Sequence, residues 1–90
     1  MEREKVEKDW AARGFSCDLW VDPPGQVWKN FVHDADELVM VLEGEEEFEM
    51  SGKKYRPKPG EEFLIPARAY HTARNIGKVT SKWLYGYKRK

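Results

Sequence analysis

The sequence holds a single cysteine, Cys17, so neither an internal disulfide framework nor a cysteine-built zinc site can form, and a reducing compartment is the expected setting. Long apolar runs are missing as well. The longest, Leu38 to Leu42, falls far short of the roughly 20 residues a membrane-spanning helix needs, and Met1 to Arg13 alternates Glu, Arg and Lys where a secretory leader would be apolar. Net charge is absent too: sixteen Lys plus Arg balance sixteen Asp plus Glu, so no global field directs the chain to nucleic acid or to an anionic membrane. The expectation is a cytoplasmic protein with neither of those partners. Its charge is nevertheless uneven, acidic between Asp34 and Glu62 and basic from Lys78 to Lys90, where a solvated terminus is the simplest reading.

What remains is a chain of 90 residues, enough for one small domain, with 40% hydrophobic and 13% aromatic residues to build its core. Residues 2–13 place Val6 and Trp10 four apart, on one face of a short helix that Gly14 ends. From Phe15 onward the texture changes to short strand-forming runs separated by Pro-Pro-Gly at 23–25, Glu-Gly at 43–44, Ser-Gly at 51–52 and Pro-Lys-Pro-Gly at 57–60. This punctuation predicts an all-β sandwich or barrel with strands at 15–22, 26–33, 37–43, 45–51, 53–56, 62–65, 71–76 and 81–87. The division is a helical segment over 1–14 and one β-barrel domain over 15–90.

Alternation puts Val27, Lys29, Phe31 and His33 on one face of the second strand and Glu37, Val39 and Val41 on one face of the third. Leu38, Met40 and Leu42 make the other face of the third strand apolar, so either the helix or a second subunit must cover it. The helix carries so few apolar residues that a homodimer is expected. Glu45, Glu47 and Glu49 read as a solvated, like-charged strand edge. Cys17 shares the parity of Phe15, Leu19 and Val21 and is expected to pack as a small apolar side chain.

The chain has two histidines. His33 precedes Glu37 by four residues, and His71 lies far along the chain beyond Pro66. Two imidazoles and a carboxylate suffice to hold a divalent metal and leave positions open, although that spacing by itself is also met by packed or surface histidines. The surroundings say more. Gly25, Phe31, His33, Glu37 and Gly44, and then Gly60, Pro66, Arg68, His71 and Asn75, follow one another at spacings that resemble the two signature motifs of the cupin superfamily, G-x5-H-x-H-x3/4-E-x6-G and G-x5-P-x-G-x2-H-x3-N.

The resemblance implies a double-stranded β-helix, a small jelly-roll barrel whose two motifs face a central cavity, with His33, Glu37 and His71 as the metal ligands. The chain departs from the pattern twice. Phe31 replaces the first histidine and cannot coordinate, which leaves two histidines and a glutamate, and its ring is also able to fill the site and leave a metal-free cavity. Arg68 replaces the glycine of the second motif, which argues against a turn needing positive φ there. Phe31, Trp28, Tyr70 and Asn75 are candidates for the cavity lining; Tyr70 is placed to donate a hydrogen bond to a bound molecule, and Asn75 also suits a structural amide tying backbone near the second motif. Trp20, Trp83, Tyr85 and Tyr87 read mostly as barrel wall or subunit interface. Asp34 and Asp36 fall in a loop after His33 and are expected to face solvent.

Two functions compete. One is a metal-dependent cupin of dioxygenase-like or isomerase-like type, acting on a small organic molecule through Fe, Zn, Mn, Ni or Cu held by His33, Glu37 and His71. The other is a non-catalytic module that binds or senses a small ligand with a degenerate or empty metal site; a barrel serving only as a dimer scaffold ranks third.

Overall fold

The computed structural model describes residues 3–89. Helix α1, Arg3–Ala12, is followed by eight strands: β1 Asp18–Asp22, β2 Val27–Phe31, β3 Glu37–Glu43, β4 Glu46–Met50, β5 Lys53–Tyr55, β6 Glu62–Ile65, β7 His71–Asn75 and β8 Ser81–Tyr87. They form two antiparallel four-stranded sheets, ordered β1-β8-β3-β6 and β2-β7-β4-β5. This is the jelly-roll barrel expected of the sequence.

Between the sheets, Val39, Val41, Phe48, Ile65, Ala73 and Trp83 form the main core. A second cluster lies on the outer face of the first sheet, where Trp10 and Phe15 pack on Leu38 and Leu84, with Val6, Cys17, Met40 and Leu42 around them. The apolar face of β3 is therefore covered within one chain, and it gives no reason to expect a partner subunit. Trp10, fully buried, accounts for most of that cover. Its ring is held in place by an indole N–H donating to Glu62 Oε1 at 3.0 Å, and Arg13 grips the same carboxylate through both guanidinium nitrogens at 2.7 and 2.8 Å. Cys17 sits half-buried in this cluster, and burial pushes its thiol up to about 11.

The helix ends as its sequence dictates. Gly14 takes φ +88°, its N–H donates to Ala11 O, and the Phe15 N–H donates to Trp10 O, a reciprocal cap that also docks Phe15 beside Trp10. Continuous pairing in β1 begins at Asp18, with Phe15 making only an isolated bridge to Lys88, because residues 15–17 carry the chain from the helix across Gly86, where a Cβ would collide with the Ser16 carbonyl. Only a glycine permits that crossing.

The acidic strand β4 is interior, lying between β7 and β5, and its glutamates are not a solvated edge. Glu47 is buried and held by Arg56 at 2.9 Å and by Arg74, its direct cross-strand neighbour, at 3.2 Å; Arg74 also reaches Glu49 at 2.8 Å. The edge on that side of the sheet is instead β5, where Lys53 and Lys54 supply the charge that discourages further strand pairing. Glu46 points inward, with Ser81 Oγ donating to its Oε1.

Candidate metal and ligand site

His33, Glu37 and His71 come from three places in the chain and meet at one end of a cavity of about 290 Å3 between the sheets. Glu37 opens β3 and faces inward with Val39 and Val41, as its parity requires. His71 opens β7 on the facing sheet. His33 stands in the connection from β2 to β3, which is pinned on both sides: its own carbonyl accepts the Arg68 N–H at 2.7 Å, and Asp36 Oδ1 accepts the Ala67 N–H at 2.8 Å. Asp36 is thus a half-buried loop anchor rather than a solvent-facing acid, while Asp34 is exposed.

The Arg68 contact also corrects the reading of that residue. Arg68 adopts φ 66°, the left-handed turn that the motif glycine would supply, so the turn is kept and its strain is borne by an arginine.

Nε2 of His33 and Nε2 of His71 lie 3.7 and 3.6 Å from Glu37 Oε1, and the three donor atoms fall within 4.8 Å of one another. Both separations from the carboxylate exceed hydrogen-bonding range, and Oε1 of the buried Glu37 has no hydrogen-bond partner among the described residues. Burial alone pushes the Glu37 carboxyl up to about 7. His33 is lowered, first by desolvation and then by the neighbouring His71. His71 Nδ1 lies 3.1 Å from the Ala69 carbonyl, which can only accept, so Nδ1 carries the hydrogen and the Nε2 lone pair faces Glu37. The Tyr87 hydroxyl stands 3.2 Å from His33 Nε2, and burial foremost, with Glu37 and Tyr85 adding, pushes that phenol up to about 12.

Phe31 lies against this cluster, its ring centroid 6.2 Å from that of His33 in a stacked arrangement and 6.3 Å from that of His71. Its direction comes from a bulge. Trp28 pairs with Ala73 but Phe31 with His71, so one extra residue is absorbed between them, and Asn30 takes φ 53° to do it. The expected common face of Val27, Lys29, Phe31 and His33 is broken there: Trp28, Phe31 and His33 line the cavity, and Val27 and Lys29 do not.

Tyr70 and Asn75 lie away from this cavity. Tyr70 is 66% exposed and borders a shallow groove with Lys29, Asn30 and Arg74. Asn75 is buried with both amide atoms committed to backbone: Nδ2 donates to Asp22 O and Val79 O, and Oδ1 accepts from the Gly77 N–H.

The sequence understated the aromatic wall. Trp20, Trp28, Trp83, Tyr85 and Tyr87 all line the cavity. The signal was present in β8, where Trp83, Tyr85 and Tyr87 alternate and so share the inward face. Behind the wall, fully buried Asp22 accepts all three indole N–H groups, from Trp20 at 2.7 Å, Trp28 at 2.9 Å and Trp83 at 3.2 Å.

The fold is shared with solved structures. The cupin domain of Schizosaccharomyces pombe Cnp3 superposes with a TM-score of 0.77 at 20% identity over 86% of this chain and 57% of that one. The Cupin_2 domain of an XRE family transcriptional regulator from Enterobacter cloacae gives 0.76 at 20% identity over 90% and 88% of the two chains. An oxalate oxidase in complex with the substrate analogue glycolate gives 0.72 at 26% identity, over 84% of this chain and 42% of the oxidase. This chain therefore spans little more than half of the Cnp3 domain and less than half of the oxidase. No curated protein matches the sequence. The model of the Cupin_2 family, described as the cupin domain, matches residues 18–87, all eight strands and both histidines, and the chain belongs to that family.

Proposed function

We propose that the chain is a small-molecule-binding cupin whose cavity holds a divalent cation between His33, Glu37 and His71. The observation that carries this reading is Glu37 Oε1, a buried carboxylate oxygen with no donor, flanked by two imidazole nitrogens at 3.6 and 3.7 Å. A buried carboxylate oxygen left without a partner costs roughly 1–3 kcal/mol, more when charged, and a cation held beside it would remove that cost. The donor set of two nitrogens and one oxygen suits Fe, Zn, Mn, Ni or Cu. Such an ion, held by these three side chains, would supply a Lewis acid. His71 keeps its donor lone pair aimed through the Ala69 carbonyl, and Tyr87 is positioned to orient His33 or a bound molecule. Beyond His33, Glu37, His71 and the hydroxyls of Tyr85 and Tyr87, the lining offers no acid, amine or thiol among the described residues, so the residues of the wall bind and orient.

A metal-free binding module is the second reading, favoured by the stacked Phe31 ring and by the Tyr87 hydroxyl already near His33 Nε2. Elemental analysis of protein purified without a metal-affinity tag separates the two. The proposal predicts stoichiometric metal in the wild type and its loss from a folded His71→Ala variant; equal metal content in both proteins removes His71 as a ligand. A homodimer stays in the proposal through exposed apolar side chains at the sheet edges, Leu19 and Val21 on edge strand β1 and Leu64 on edge strand β6 among them, 38%, 49% and 47% exposed. Light scattering near twice 10.6 kDa supports it, and a mass of 10.6 kDa removes it.

A further inference from the structure

Besides His33, Glu37 and His71 the cavity lining is mostly rings, and these rings do not stack on one another. Trp28 is turned 51° from Phe31 and 72° from Trp20; Tyr85 is turned 84° from Trp20, 62° from Trp83 and 71° from Tyr87, all at centroid separations of 5.5–6.0 Å. Rings set at such steep angles enclose a volume, whereas stacked rings would fill it. The cavity of about 290 Å3 is at the small end of ligand pockets.

The three indoles are also fixed and polarised in one direction. Each gives its only donor to the buried Asp22, so none has an N–H left for a ligand. Donation to a carboxylate shifts electron density into the indole, which makes the ring faces more negative. Among the described residues, no Lys or Arg lines the cavity. Behind the wall sits a second acid, Glu46, pushed up to about 8 by burial first, with Ser81 opposing and Asp22 adding. Its Oε2 finds no donor among the described residues, as befits the proton-bearing partner beside Asp22. The Asp22 carboxylate thus stands against three aromatic rings, and no cationic side chain among the described residues lines the cavity opposite it.

We propose that this aromatic lining of the cavity binds a small quaternary ammonium group, held by Trp20, Trp28, Trp83 and Tyr85 with Asp22 behind them. Such a cation needs no hydrogen bond, prefers ring faces to water and answers the charge of Asp22. An anionic ligand would meet negative faces, and a neutral apolar one would gain nothing from the carboxylate. The proposal rests on the cavity being a small-molecule site, as argued above, but not on a metal being bound between His33, Glu37 and His71.

The test titrates choline and its neutral carbon isostere 3,3-dimethylbutan-1-ol into the full chain, with and without chelator, followed by tryptophan fluorescence and calorimetry. Choline is expected to bind at least tenfold more tightly than the isostere in both conditions. Trp28→Leu and Tyr85→Leu, checked for folding by circular dichroism, are each expected to weaken choline about tenfold or more and to affect the isostere less. Equal affinity for choline and the isostere, or no binding of either at millimolar concentration, overturns the proposal. Choline binding that survives both chelation and His71→Ala supports the cage whatever becomes of the metal reading.

Discussion

Arg68 holds the left-handed conformation at φ 66° because the turn it occupies delivers its N–H to the His33 carbonyl, and that turn positions a candidate ligand. A non-glycine residue there carries about 1–2 kcal/mol of strain, partly offset by the lower entropy of its unfolded chain. Arg68→Gly is therefore expected to be no less stable than wild type in urea unfolding, and Arg68→Val to fall about 1–2 kcal/mol below the glycine variant; equal stability of the two variants would deny the strain. At Phe31, the ring faces both histidines, so Phe31→His places a fourth nitrogen at the site and is expected to tighten zinc binding at least tenfold in a calorimetric titration. Affinities that agree within error would mean the new side chain turns away. Glu46 gives a pH signature. Its folded carboxyl is pushed up to about 8 from an ordinary 4.5, so between those values the folded chain keeps a proton that the unfolded chain has released. This contribution is full below about pH 4.5 and is lost as pH rises through 8, a fall on the order of a few kcal/mol at most. Glu46→Gln should flatten it, and an unchanged profile in that variant would assign the effect elsewhere. Little of this was visible in the sequence: Asp22 lies 6 and 61 residues from Trp28 and Trp83, and no local pattern announces a carboxyl that collects indoles from three strands.

The strands were legible because each is bounded by residues that cannot continue it. Pro23-Pro24-Gly25, Ser51-Gly52 and the run Pro57 to Gly60 break pairing by φ restriction, missing donors or positive φ, and β3, β6 and β8 begin and end where the pattern put them. The bulge in β2 was not legible. Nothing in Val27 to Phe31 distinguishes a regular strand from one that absorbs an extra residue at Asn30, yet that residue decides whether Phe31 faces the cavity together with Trp28. The cover of β3 was misjudged for a related reason. A count of apolar helix residues undervalues one tryptophan, whose area, placed at the centre of the face and pinned by Glu62, does what several smaller side chains would. Trp10→Ala is accordingly expected to cost about 3–5 kcal/mol in chemical unfolding and to expose Leu38 and Met40 to a hydrophobic dye. A loss under 1 kcal/mol would show that α1 is not part of the cooperative unit.

At the scale of the molecule, the candidate site joins the two sheets. Glu37 comes from β3 of the first sheet, His71 from β7 of the second, and His33 from the crossing between them, so a cation held by all three would tie the two sheets together. The motif spacing made those three residues legible in advance. What it could not supply was the orphaned Glu37 oxygen, the Tyr87 hydroxyl beside His33 or the ring-lined interior, all of which depend on how the sheets face one another. Binding to the folded state alone must raise stability by mass action, so zinc at a hundredfold its dissociation constant should add about 2.7 kcal/mol. The central claim is tested most directly by calorimetric titration of zinc into chelator-stripped wild type and Glu37→Gln, a variant that removes the unpaired charge while keeping its shape. One ion per chain in the wild type, with affinity lost by a hundredfold or more in a Glu37→Gln protein that is still folded, is the predicted result; equal affinity in the two proteins, or no binding to the wild type, would contradict it.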